Sequence, residues 1–287
     1  MSRLLIVTAD DLGLTAGVNR AVRRAHLDGV VTATSLLAVG RAFDDAAAML
    51  RATPTLELGA HLALVGEDPP LLSPREIPTL VDRHGAFPLG YRTVVARGAA
   101  GRLDPADVRR ELSAQLERVL GIGVPVTHVD THQHTHLWPG VGAVVAGLAR
   151  EHGIPAARLP RSRNRGPVGL GVEVLRRRLG HRLRRAGLLT TADYAGLDEA
   201  GALDANRLAA ALRVLRAGAQ PTAEINTHPS EADDPDLGRF AWGYAWGDEL
   251  AGLLDPATRD AVEAAGYRLG GWADLAPAAP HDHQERR

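Results

Sequence analysis

Residues 4–29 read LLIVTADDLGLTAGVNRAVRRAHLDG, and this stretch sets the expectation for the whole fold. Leu4 to Thr8 is a short, largely apolar run, the pattern of a strand buried on both faces. It ends in Asp10-Asp11-Leu12-Gly13. From Ala16 to Leu27, Val18, Ala21, Val22 and Ala25 recur at helical spacing, and Gly29 is the stop. A buried strand, a polar turn and an amphipathic helix therefore follow one another within 26 residues.

The unit repeats downstream. Val30 to Val39 reads as a strand, Phe43 to Leu50 as a helix, and Leu56 to Leu64 as a third strand with His61 toward its end. Strands and helices alternating at this spacing predict an α/β fold with a parallel sheet and crossover helices. From residue 65 to about 103 the rhythm fails. Pro69, Pro70, Pro74, Pro78 and Pro88 mark a long loop or lid, and a loop of that length in a compact domain is usually functional. Asp104-Pro105 then caps a helix whose buried stripe is Val108, Leu112, Leu116, Val119 and Leu120. Further strands are expected at Pro125 to Val129, Leu188 to Tyr194, Pro221 to Asn226 and Tyr267 to Leu269. Helices are expected from Pro139 to Leu148, from Asn206 to Leu215 and after Asp255-Pro256. Residues 1–276 are read as a single domain, and 277–287 as a disordered tail.

Composition narrows the chemistry. There are no cysteines, which removes disulfides, thiolate zinc sites and cysteine nucleophiles. All 33 basic residues are arginine, which removes lysine Schiff bases and Walker-type phosphate loops. A net charge of −1 argues against a general nucleic-acid binder. The apolar run at the N-terminus is too short for a signal peptide, and no 18-residue apolar span follows, so a soluble cytoplasmic protein without a membrane span is expected. The arginines of 158–185 are expected on the solvent side of an amphipathic helix that turns Val172, Leu175, Leu179 and Leu183 inward; a surface for anionic ligands is the second reading.

The candidate chemistry gathers at Thr127 to His136, THVDTHQHTH. His128, Asp130, His132, His134 and His136 fall on every second position, so in an extended strand all five project the same way. Desolvating five titratable groups is costly, which a core strand has no reason to accept. One metal ion takes only one or two of them, because positions two apart lie ~7 Å along a strand. The remaining ligands must come from elsewhere. Asp10-Asp11, His61 and His228 each stand where a parallel strand ends, the functional face of α/β sheets and barrels. An oxygen and two imidazoles around one divalent ion leave positions open for water and substrate. Of two neighbouring carboxylates, one can bind the ion and the other act as general base, while a histidine opposite protonates a leaving amine.

Taken together, Asp10-Asp11-Leu12-Gly13, Gly29 to Ser35, Gly59-Ala60-His61-Leu62, the histidine run and His228-Pro229 resemble the YdjC/ChbG family of carbohydrate deacetylases, which includes the HpnK proteins. The resemblance implies a modified TIM-like (β/α) barrel and a divalent metal, usually magnesium, with zinc or another divalent ion as the alternative. It implies Asp11, His61 and His132 as ligands, Asp10 as base and His228 as acid. Asp130, His134, His136 and Arg158 would stand around substrate or behind the ligands. It further implies an N-acetylated sugar as the small carbohydrate substrate, and a homodimer. Ser230 replaces the family's glycine after His-Pro, and Leu12 its usual phenylalanine. Three other chemistries fit this pattern less well. A non-haem iron triad normally sits in double-sheet folds, an amidohydrolase or phosphatase barrel carries a His-x-His pair on its first strand, and a non-catalytic sugar-binding barrel needs no base.

Overall fold

A computed structural model describes residues 2–276, so the expected tail from Pro277 lies outside the described residues. The strands are β1 (Arg3–Leu12), β2 (Ala33–Leu37), β3 (Glu57–Leu62), β4 (Val126–Thr131), β5 (Ala156–Ala157), β6 (Asp193–Ala195), β7 (Thr222–Thr227) and β8 (Tyr267–Leu269). The helices between and after them are α1 (Ala16–Leu27), α2 (Phe43–Arg51), α3 (Tyr91–Ala99), α4 (Pro105–Leu120), α5 (Pro139–Glu151), α6 (Pro167–Arg185), α7 (Ala205–Gly218), α8 (Trp246–Leu254) and α9 (Pro256–Ala264). Seven strands run in the order β5-β4-β3-β2-β1-β7-β6, every pairing parallel, and β8 adds to the start of β1. A single bridge between Ala156 and Leu189 joins β5 to the segment entering β6, which curls the sheet toward closure. The result is a single-domain α/β architecture: the alternation of strands and helices predicted the parallel sheet, and the family resemblance implied its TIM-like form.

The helices start where side chains satisfy their free N–H groups. Thr15 accepts from the Val18 N–H at α1, and Asp104 from the Ala106 N–H at α4, with Pro105 in the first turn. Residues 65–90 contain no helix or strand, but the expectation of a loop throughout 65–103 is corrected by α3. Buried acids of α4 hold this insertion: Glu111 accepts the N–H groups of Leu71 and Leu72, and Asp107 that of Thr79. The strand expected at Leu188 to Tyr194 lies later, at β6. β5 and α8 were not anticipated, the first because two residues carry no readable period.

Alternation along each strand divides the core. Leu5, Val7 and Ala9 belong to the large cluster shared with the helices, whereas Leu4 and Ile6 join Ala33, Ala156 and Trp272 inside the barrel. Trp272 seals the floor. Its backbone N–H donates to Glu57 at 2.6 Å, and His128 stacks on its ring at 4.4 Å between centroids. The His128 ring also requires glycine at position 59 on the neighbouring strand, where a Cβ would lie 2.2 Å from its Nε2. Above this apolar floor the inward positions turn polar, and the candidate chemistry begins there. Because Trp272 is among the largest fully buried side chains, Trp272→Ala is expected to cost about 3–5 kcal/mol in urea unfolding. A loss below about 1 kcal/mol would show that the floor is sealed by something else.

Candidate active site

Asp10 and Asp11 are adjacent, so in a regular strand they would face opposite sides of the sheet. The pairing of β1 with β2 shifts register between Ala9 and Leu12, and Asp11 has φ 63°. This bulge turns both carboxylates into the same space, and a non-glycine residue in the left-handed region is strain of the kind found at functional sites.

The histidine run departs from the expectation of five groups on one face. β4 ends at Thr131, and Gln133 and His134 adopt left-handed backbone with φ 49° and 52°. Only His128 and Asp130 keep the strand alternation. His132 is carried over the top of the barrel, His134 to the cavity wall, and His136 is buried away from it. There His136 Nδ1 lies 2.6 Å from Thr131 Oγ1 and its Nε2 3.2 Å from the Arg158 carbonyl.

Asp11, His61 and His132 meet. His132 Nδ1 is 2.9 Å and His61 Nε2 3.4 Å from Asp11 Oδ1, and one ligand atom from each residue lies within 4.8 Å of the others. Both Asp11 oxygens are buried without a hydrogen-bond partner, so the two imidazoles approach them without hydrogen-bond geometry. Burial alone would raise Asp11, but the imidazoles of His132 and His61 beside it hold it well below the usual carboxylate range. Asp130 accepts from His61 Nδ1 at 2.8 Å, which leaves Nε2 directed at Asp11. A carboxylate fixing the far nitrogen of an imidazole is the usual support behind a metal-ligating histidine. These donors fit a divalent cation. A second cluster, Asp10, His61 and Asp130, is equally compact, but its carboxylates are already bound by a guanidinium.

That guanidinium is Arg158, immediately after β5 and 0% exposed. Two parallel hydrogen bonds of 2.7 Å run from Nη1 and Nη2 to the Asp10 carboxylate. Nε donates to Glu224 Oε1 at 2.9 Å, and Nη1 also touches Asp130 Oδ2. Arg158, expected around substrate or behind the ligands, has its donors occupied beneath the cavity. Asn226 Nδ2 donates to Asp10 at 3.2 Å, oriented by the Tyr194 hydroxyl, which donates to the Asn226 carbonyl oxygen.

His228 closes the far side. Its Nε2 lies 3.9 Å from Asp10 Oδ2, its backbone N–H donates to Glu249 at 2.6 Å, and its Nδ1 is 4.0 Å from the same carboxylate. Asp10, His61, His132, His134 and His228 line a cavity of about 310 Å3 together with Tyr91, Trp242 and Tyr244. Trp242 packs over His132 and Tyr244 over His228. The sequence reading did not single out Glu224, Asn226, Glu249, Tyr194 or the two aromatic residues. Glu224 and Asn226 on β7 alternate with His228 just past its end, a period-two signal like that of the histidine run. Glu249 left no signal, because a glutamate in a helix reads as solvated.

A family model described as YdjC-like protein matches residues 4–264. A chitooligosaccharide deacetylase from Klebsiella pneumoniae is 32% identical over 276 residues, 96% of this chain and 100% of that protein. A carbohydrate deacetylase from Brevibacillus brevis is 32% identical over 234 residues, 81% of this chain and 84% of that one. The crystal structure of an Enterococcus faecalis protein named provisionally for cellobiose-phosphate cleavage superposes with a TM-score of 0.80 at 24% identity, covering 96% and 100% of the two chains.

The buried imidazoles set a pH dependence. Burial pushes His128 down to about 3 and His136 down to about 4, below the ordinary 6.5. As pH falls the unfolded chain takes up these protons first, so their contribution to stability is complete above 6.5 and is lost between about 6.5 and 4. Glu224, pushed up to about 7 by burial, opposes this by close to one proton across most of that window. Burial also holds His134 well below its ordinary value and adds in the same direction, so the unfolding free energy is expected to fall as pH is lowered across this window. Urea midpoints that rise on acidification would contradict it.

Proposed function

The chain belongs to the YdjC-like protein family, and from that premise we propose that it is a carbohydrate deacetylase, hydrolysing the acetamide of an N-acetylated amino sugar. The observation that carries the reading is the division of labour between two adjacent carboxylates. Asp11 offers two unpartnered oxygens to a pair of imidazoles, while Asp10 is held by Arg158 and Asn226 with its edge on the cavity. A binding barrel has no use for the second carboxylate. The names of the relatives point to the same substrate class, and chitooligosaccharides are the first compounds to test.

Asp11, His61 and His132 would hold a divalent ion, which when bound supplies positive charge to polarise the acetyl carbonyl and activate water. Magnesium is what the family resemblance implies, while imidazole donors also suit zinc. Asp10 takes the proton from the attacking water, its orientation fixed by the two-point clamp of Arg158. His228 gives a proton to the departing amine nitrogen, and Glu249 holds its backbone and faces its Nδ1 so that Nε2 points toward Asp10. Trp242, Tyr244 and Tyr91 give the sugar ring apolar walls and exclude bulk water.

Acetate release from N-acetylated chitooligosaccharides, measured after loading with each divalent ion in turn, tests the proposal. Asp10→Asn is expected to lower kcat by on the order of 10³-fold while leaving ion affinity nearly unchanged, and His228→Ala by about 10²–10⁴-fold. Absence of release from every N-acetylated sugar, by protein that still binds the ion, would overturn it.

A further inference from the structure

Three strands bring a chain of buried polar side chains together behind the reacting groups. In the parallel pairing of β1 with β7, Thr8 stands opposite Asn226, and in that of β6 with β7, Tyr194 stands opposite Glu224. Side chains two apart on a strand share a face, so Asn226 projects into the barrel between Tyr194 on one side and Asp10 on the other. All three are buried. His134 reaches the same group from the left-handed turn after β4.

The direction of each hydrogen bond follows from the end of the chain. The Asp10 carboxylate, clamped by Arg158, only accepts, so Asn226 turns its amide nitrogen toward Asp10 Oδ2, at 3.2 Å. The amide oxygen then faces Tyr194, whose hydroxyl donates to it. Burial holds the Tyr194 phenol well above its ordinary value, so the proton it donates stays in place. The phenol oxygen is left to accept, and His134 Nε2 lies 3.3 Å from it. Burial holds the His134 imidazole well below its ordinary value and therefore neutral, with its one proton on Nε2. His134 Nδ1 has no partner among the described residues.

The same amide also reaches the second reacting group. Asn226 Nδ2 is 3.5 Å from His228 Nε2, so one nitrogen with two N–H groups spans the 3.9 Å between Asp10 and His228. Among the described residues no other side chain hydrogen-bonds to both. The backbone leaves room for this amide, since a Cβ at Gly196 would lie 2.2 Å from Asn226 Oδ1. Without the Tyr194 hydroxyl the amide oxygen would be buried with no donor, and the amide would be free to tilt away from the base.

On the deacetylase reading above, we propose that Asn226 and Tyr194 are positioning residues of the reaction. Asn226 sets the base and the acid at their working separation, and Tyr194, steadied by His134, fixes the Asn226 amide. Neither Asn226 nor Tyr194 lines the cavity, so both act through Asp10 and His228.

Acetate release from an N-acetylated chitooligosaccharide by ion-loaded protein tests this in Tyr194→Phe, Asn226→Ala and the double variant. Tyr194→Phe removes one oxygen and is expected to lower kcat about tenfold, and Asn226→Ala about a hundredfold. KM and affinity for the ion should stay within about twofold of the parent, because neither residue lines the cavity or offers a ligand. Since Tyr194 acts through Asn226, the double variant should be no slower than Asn226→Ala alone. A Tyr194→Phe kcat within about twofold of the parent overturns the proposal, and so does a double variant slower than Asn226→Ala by a further tenfold or so. A loss of kcat matched by weaker ion binding or a raised KM overturns it too, since that marks a packing role. Should Asn226→Ala fail to fold, the kcat of Tyr194→Phe decides. A parent that releases no acetate from any N-acetylated sugar sinks the deacetylase reading and this inference together, whereas an active parent with equally active variants sinks the inference alone.

Discussion

One buried guanidinium organises the interior of the barrel. Arg158 is surrounded by Asp10, Asp130 and Glu224, three carboxylates from three different strands, and none of the four side chains is more than 1% exposed. Removing such charges from water costs several kcal/mol each unless they are paired and fully hydrogen-bonded. The two-point clamp on Asp10 and the contacts to Asp130 and Glu224 meet that condition only in part, since Glu224 Oε2 has no partner. Burial pushes Glu224 up to about 7, so near neutrality it shares its charge with a proton. Each of the other two carboxylates has a second duty. Asp10 faces the cavity, and Asp130 holds His61, which faces Asp11. Both halves of the candidate chemistry are thus fixed by the same cation. A negative excess remains around Asp11, and a divalent ion is the species that would answer it.

Backbone irregularity delivers the rest. The bulge in β1 lets two consecutive residues point into one cavity, and the left-handed turn after β4 swings His132 across to Asp11. Neither feature follows from period-two alternation, which is why the sequence reading had five groups of Thr127 to His136 in a row and could not choose among them without the family resemblance. Where the strands are regular, the period served well. It identified His128 with Asp130, and the same rule applied to β7 would have found Glu224 and Asn226 beside His228.

The architecture was legible because βα units repeat with clear stops, and because paired aspartates and histidines stand at strand ends where a parallel sheet has its functional face. What stayed hidden depends on contacts between distant segments. Arg158 looks like the first of many surface arginines, yet it is the one drawn beneath the cavity, while those of α6 remain outside. Glu249 and Tyr194 act through partners that lie 21 and 32 residues away in the chain, His228 and Asn226, and no local pattern reports such a meeting.

The most direct test of the account is anomalous diffraction at the zinc edge from crystals soaked in a zinc salt. A single interior peak is expected within about 2.0–2.2 Å of an Asp11 oxygen and of one nitrogen each from His61 and His132, with Arg158 still clamped on Asp10. A peak bound instead by Asp10 and Asp130, or an interior without any peak at saturating zinc, would contradict it.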